Sequence, residues 1–376
     1  MYASVFNNSA SHEAKLERLN TQFALSLIVI DVVLGFYFLF GVLGNAIVIY
    51  IYSFRLRVKL DDKFFILVLA VMDVIVCVTG PTFCLMRNIF PVYMDMDLVC
   101  KMSWFFTRNL NGASGLLILV IGLQRFLKVC RPFGRQMTKK YKIIALILTI
   151  CVTIVIHTPL FIFYGITEVP FVDKGITGRR CGLIHGHSEM IDFYGKVYLY
   201  IMFASALLTM VGICSLYTAT GKKIYEHIKR LEDMPTTHPS FDTNSTHDIA
   251  MKSENDPESI QTARRKSSKD NNIRDLNRRR STTVSVRSKK TPFAVHRYSI
   301  MFLIISLLCV LTYVPALAIN LAVDVDSVEF WTEFSDTERR VYLLVFQMYL
   351  LNHVVNPIVY TCFDTKFRLK VKELFC

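Results

Sequence analysis

The sequence predicts an all-α membrane protein: a seven-transmembrane helix bundle followed by a short amphipathic helix on the membrane surface. Three observations predict it. Hydrophobic residues make up 53% of the 376 residues, with a mean hydropathy of +0.39, more than a soluble chain of this length buries. They are gathered in blocks rather than spread at a strand or helix period, and seven blocks reach the roughly 20 residues needed to cross about 30 Å of hydrocarbon. Lys and Arg, finally, crowd alternate loops, as they do on the cytoplasmic side of a membrane.

Taken in order, the apolar runs are Phe23 to Tyr52, Phe64 to Met86, Met102 to Leu127, Ile143 to Tyr164, Val197 to Ala219, Ser299 to Val323, and Val341 to Cys362. Before Phe23 there is no basic stretch, short apolar core and small-residue cleavage site, so the first span is expected to act as its own insertion signal. Arg55, Arg57, Lys59 and Lys63 fill the first loop, and Lys128, Arg131, Arg135, Lys139, Lys140 and Lys142 the third; the second holds only Arg87 and Lys101. That bias puts the N-terminus outside and the C-terminus inside, for a multi-pass protein expected in the plasma membrane. The expected organisation is an extracellular N-terminal segment at 1–22, five spans with their loops at 23–230, a disordered cytoplasmic loop at 231–292, two spans at 293–362, and an amphipathic helix and C-terminus at 363–376.

The formal net charge of +13 follows from a positive inner surface facing anionic lipid and gives no reason to expect nucleic acid. The segment between the sixth and seventh spans is acidic instead, with Asp324, Asp326, Glu329, Glu333, Asp336 and Glu338 against Arg339 and Arg340. It reads either as a solvated loop or as an attractor for a cationic ligand. Most of the ten cysteines lie in spans or on the reducing side. Cys100 and Cys181 face outward and are expected to form a disulfide across the mouth of the bundle.

Asn7-Asn8-Ser9 is an outward-facing glycosylation acceptor at Asn7, whereas Asn244-Ser245-Thr246 matches the same pattern on the wrong side. From Leu231 to Pro292 the composition turns polar and charged, too poor in aromatics to fold alone. Its Arg-rich tracts end at Ser267 and Ser281, which read as sites for basophilic kinases or as simple polybasic contacts with membrane lipid. In "FDTKFRLKVKELFC", Phe363, Phe367, Val371, Leu374 and Phe375 gather on one helical face, with Lys366, Lys370 and Lys372 around the other. Cys376 beside it is a candidate for acylation.

Polar residues inside spans are the most informative. The first span has Asn45, the second Asp73, the third Thr107, Arg108, Asn111 and Ser114, and the seventh Asn352, His353 and Asn356 in "LLNHVVNPIVY". Thr107, Asn111 and Ser114 share a helical face, and Arg125 returns to it about 16 Å deeper, so one stripe joins the two ends of the third span. Pro315 and Pro357 remove backbone donors in the sixth and seventh spans, either shaping the bundle or supplying a hinge.

In order along the chain, Gly44-Asn45, Leu69-Ala70-x-x-Asp73, Cys100 with Cys181, Gln124-Arg125-Phe126 followed by Pro132, Tyr217, Pro315, and Asn356-Pro357-Ile358-Val359-Tyr360 with Phe367 resemble the motifs of rhodopsin-like G-protein-coupled receptors. Through "KVCRPFGRQMT" the chain is similar to invertebrate neuropeptide receptors grouped with orexin and cholecystokinin receptors. The resemblance implies a receptor and not an enzyme, with an extracellular ligand, a heterotrimeric G protein and arrestin as partners. It implies that Arg125 lies against the inner ends of the fifth and sixth spans at rest and receives the G protein on activation, with Tyr217 and Tyr360 as its active-state partners. It also implies no cofactor beyond an allosteric sodium ion at Asp73, Ser114, Asn352 and Asn356.

Departures from the pattern matter as much. Gln124 replaces the usual acid before the arginine and Val295 stands where some relatives carry a glutamate, so both usual salt-bridge restraints on Arg125 are missing. Tyr313 takes the toggle position of the sixth span in place of tryptophan, and Thr209 stands where proline is common. Thr107 in place of an aspartate argues against a monoamine, and Leu350 in place of a lysine against retinal. What remains resembles a peptide pocket: Arg87, Trp104, Thr107, Arg108, Asn111, Tyr198, Asn320 and Phe346, with Arg180 beside Cys181. Arg108 reads either as the partner of a ligand carboxylate, on a peptide acid or a fatty-acid-like ligand, or as half of an internal pair with Glu168 or Asp192. A transporter reading lacks an internal repeat. An enzyme reading lacks a cluster, since His353 is isolated and His185 with His187 has no third ligand.

Overall fold

The computed structural model describes residues 2–57, 60–184, 189–232 and 292–375. Ser267 and Ser281 lie outside the described residues, as do His185, His187 and Cys376; Asn7 lies on the first helix with its side chain outside the description. The chain divides into two units, His227–Val295 on the one hand and Met1–Glu226 with His296–Cys376 on the other. The second of these is the bundle.

Its elements are α1 (Tyr2–Ser26), α2 (Ile28–Tyr50), α3 (Leu60–Ile89), α4 (Asp97–Cys130), α5 (Lys139–His157), α6 (Leu160–Phe163), β1 (Tyr164–Phe171), β2 (Ile176–Leu183), α7 (Glu189–Glu232), α8 (Pro292–Ala322), α9 (Val328–Thr332), α10 (Asp336–Phe346), α11 (Leu351–Phe363) and α12 (Thr365–Phe375). Seven stretches are long and apolar enough to cross a membrane: Ile28–Arg55, Lys63–Ile89, Asp97–Cys130, Lys139–Phe163, Glu189–Arg230, Arg297–Ala322 and Asp336–Phe363. Their outward faces stay apolar, with Val29, Phe36 and Phe40 on α2, Ile144 and Leu148 on α5, and Leu208 and Val211 on α7 all exposed. Such faces are stable only against lipid. The chain is a multi-pass membrane protein.

Two apolar clusters fill the interior. One, at the Cys100 end, gathers Trp104, Tyr164, Trp331, Phe346 and the buried residues of α1. The other, at the Arg125 end, gathers Tyr52, Tyr217, Phe302, Tyr360 and Phe367.

The first span begins at Ile28 rather than Phe23, because Phe23 to Ser26 belong to α1. Leu16, Leu19, Asn20, Phe23 and Leu27 are buried at helical spacing. Phe23 sets its ring 5.5 Å from Trp331 and 5.8 Å from Phe171, while the Asn20 amide donates to the Ile89 carbonyl at 3.0 Å. The N-terminal segment is thus a helix laid on the mouth of the bundle.

Antiparallel β1 and β2 form a hairpin that pairs Ile166 with Cys181, turning at Gly175, whose φ of 59° suits a residue without Cβ. A disulfide joins Cys100 at the top of α4 to Cys181 in β2 across a separation of 81 residues. On a chain-entropy account such a closure is worth roughly 4 to 5 kcal/mol. At the other end, Asp364 separates α11 from α12 and accepts from the Lys366 backbone N–H at 3.0 Å, capping the amphipathic helix.

Candidate functional site

Between α4, α5, α7 and α8 lies a cavity of about 600 Å³. Thr107, Arg108, Asn111, Asn320 and Phe346 line it, together with Tyr313 and Tyr349. At its floor the Tyr313 hydroxyl donates to Asn111 Oδ1 at 3.1 Å, and the Asn111 amide donates to the Thr107 carbonyl at 2.7 Å.

Arg108 rests its guanidinium 4.9 Å from the Trp104 ring and 5.9 Å from that of Phe346. Cation–π contact steadies the charge without neutralising it. Among the described residues Arg108 has no carboxylate partner, so the internal pair with Glu168 or Asp192 is not formed.

The remaining candidates do not line the cavity. Arg87 and Arg180 both pair with Asp326, Arg180 Nη2 at 3.1 Å, and all three side chains are nearly inaccessible. Arg180 lies over Trp331 and Arg87 over Trp104, at 4.2 and 4.8 Å. Burial pushes the Arg180 guanidinium down to about 9, the like charge of Arg87 adding to the fall and Asp326 opposing it. Gly182 makes the cluster possible, because a Cβ there would come within 2.9 Å of Asp326 Cγ. Tyr198 turns away from the cavity to donate to the Ile156 carbonyl at 2.9 Å and stack on Phe163, so it holds α7 against the α5 side.

Deeper in the bundle, His353 is not isolated: the fold brings its Nδ1 to 2.7 Å from Asp73 Oδ1, across 280 residues of sequence. Asn356 Nδ2 donates to the other carboxylate oxygen at 2.6 Å. Ser114 and Asn352 are buried, but among the described residues neither the Ser114 hydroxyl nor the Asn352 amide has a hydrogen-bond partner. Pro357 follows Asn356 inside α11, and Pro315 lies inside α8.

At the far end, the Arg125 guanidinium lies 4.6 Å from the Phe302 ring of α8. Gln124 beside it is buried, Phe126 is half-buried, and Tyr217 and Tyr360 join Phe302 in the inner cluster. Arg297, at the foot of α8, pairs with Asp364 at 3.4 Å and donates to Thr365 Oγ1 at 2.6 Å. Asp364 also accepts from the Tyr52 hydroxyl at 2.7 Å.

The family described as "7 transmembrane receptor (rhodopsin family)" matches residues 44–360, from Gly44 to Tyr360. The chain belongs to the rhodopsin family of seven-transmembrane receptors. As a rhodopsin-family member it is a receptor and not an enzyme. It is similar to the human cholecystokinin receptor type A, 25% identical over 349 residues that cover 90% of this chain and 78% of that one. The cholecystokinin receptor type A of Canis lupus familiaris is 27% identical over 88% of this chain and 77% of its own. A shorter match, 30% identical over 25% of this chain and 21% of the relative, is to the gastrin/cholecystokinin type B receptor of Sus scrofa.

Proposed function

We propose that this receptor lies in the plasma membrane with its N-terminus outside, binds an extracellular peptide carrying an acidic group, and activates a heterotrimeric G protein by movement of α8. Arg108 carries the reading: a guanidinium on the wall of a mostly apolar cavity, held by two aromatic rings and lacking a carboxylate of its own. A planar fork of donors in low dielectric recognises a carboxylate or sulfate bidentately. The names of the relatives, receptors for peptides of the cholecystokinin type, support a peptide over other acids. A lipid or small carboxylate ligand is the second reading, favoured by the apolar wall that Phe203, Leu199 and Met210 contribute.

On this reading Arg125, with Tyr217 and Tyr360, receives the G protein, Tyr313 acts as the toggle, and Pro315 and Pro357 supply the hinges. Gln124 and Phe126 flank the arginine and set its resting restraint. Glycosylation at Asn7, kinase action at Ser267 and Ser281, and arrestin engagement complete the proposal. The test compares any activating peptide with its analogue in which the acidic group is replaced by an amide. A loss of potency of at least tenfold in the amide supports the reading; equal potency overturns it.

A further inference from the structure

The resemblance implies a sodium ion beside Asp73, and the residues present do not fit one. Both carboxylate oxygens of Asp73 are engaged by protein, Oδ1 with His353 Nδ1 at 2.7 Å and Oδ2 with Asn356 Nδ2 at 2.6 Å, and Asp73 and His353 are fully inaccessible. We propose that His353 is the resident partner of Asp73, holding the place of a sodium ion and joining the cavity floor to the Asn356-Pro357 turn without a metal.

Asn111 Nδ2 donates to the Thr107 carbonyl, which turns Asn111 Oδ1 toward Tyr313 and His353. His353 Nε2 lies 3.2 Å from that oxygen and, facing an acceptor, carries a hydrogen. One further hydrogen lies between Nδ1 and the carboxylate, whichever atom holds it. Asp73 and His353 together therefore have no formal charge. A cation set beside a pair of zero net charge recovers little of its desolvation cost, which is large for a buried charge. The other groups expected around the ion, Ser114 and Asn352, are neutral dipoles and offer no such charge.

The same contacts make a continuous polar chain from Tyr313 through Asn111, His353 and Asp73 to Asn356. Its upper members line the cavity and its lower end adjoins Pro357. His353 is further fixed from outside the chain, since the Asn45 amide donates to its carbonyl at 2.9 Å. The ring is held by Asp73 on α3 and Asn111 on α4, and its backbone by Asn45 on α2.

The test measures thermal unfolding of the purified full-length receptor during a sodium chloride titration, with choline chloride holding ionic strength constant. This readout needs neither ligand nor G protein, so it stands or falls separately from the proposed signalling role. The wild-type midpoint is expected to show no sodium-specific shift, and His353→Ser, which leaves Asp73 facing open space, to gain a saturable rise of a few degrees. A flat response in both proteins overturns the assignment to His353. A saturable sodium-specific rise in the wild type, lost in Asp73→Asn, overturns the proposal outright, and this arm holds even if His353→Ser fails to fold.

Discussion

Arg108 and Asp326 show two opposite treatments of charge in a low-dielectric mouth. Arg108 has aromatic faces and, among the described residues, no carboxylate paired with it, so replacing it breaks no ion pair. A hydrogen bond to a charged group is worth about 1.5 to 3 kcal/mol, and Arg108→Gln is expected to lower potency for an acidic peptide roughly 10- to 100-fold. Dose–response curves at matched surface expression check this, and the amidated peptide should show no further loss on the variant. Asp326 instead serves two guanidiniums, and Asp326→Ala would leave Arg87 and Arg180 buried without an anion. Removing one partner of a buried pair costs about 3 to 5 kcal/mol, so the variant should melt well below the wild type in a thermal-unfolding assay. An unchanged midpoint would mean the cluster is not closed in the membrane. The sequence singled out Arg87 and Arg180 but left Asp326 among six acids, because its partners are 239 and 146 residues away and nothing local marks it. His353 escaped for the same reason: an imidazole without a neighbouring ligand reads as isolated until Asp73 is folded against it.

At the scale of elements, the proposed function makes the foot of α8 the control on ligand-independent signalling. Gln124 offers Arg125 no charge, so basal signalling is expected to be modestly raised, and Gln124→Asp should lower it. Unchanged basal output at unchanged expression would count against that account. The structure supplies a different tether, Arg297 to Asp364, which ties α8 to the α11–α12 junction and through Tyr52 to the end of the first span. Asp364→Asn weakens this tether and should raise basal output above that of the wild type, measured as ligand-independent second messenger per receptor at the surface. The spans themselves were legible because an apolar run of membrane length finds few stable surroundings besides a bilayer. Helix α1 was not: Leu16, Leu19 and Phe23 keep helical spacing, but Glu13, Lys15, Glu17 and Arg18 before and between them drop the hydropathy to that of a polar tail. The β1–β2 hairpin was hidden differently, since the fourth apolar run reads straight through to Tyr164, where the strand begins.

For the whole molecule, the two ends of the bundle are closed by different devices and linked through its core. At the mouth, α1, the disulfide-tied hairpin and the Arg87–Asp326–Arg180 cluster cover the apolar interior. At the other end, Arg125 packs on Phe302 above a capped α12. Between them the polar chain from Tyr313 to Asn356 passes beside the cavity. Such an arrangement has the parts of a switch with two packings, in which a ligand acts by binding one packing better than the other. The most direct test expresses the receptor at the cell surface with a promiscuous G protein and reads calcium release against a library of neuropeptides and lipid acids, beside an Arg125→Ala control at matched expression. The account predicts a saturable response to an acidic peptide that disappears in the control. No response above basal from any ligand, with a basal signal that Arg125→Ala leaves unchanged, would contradict it.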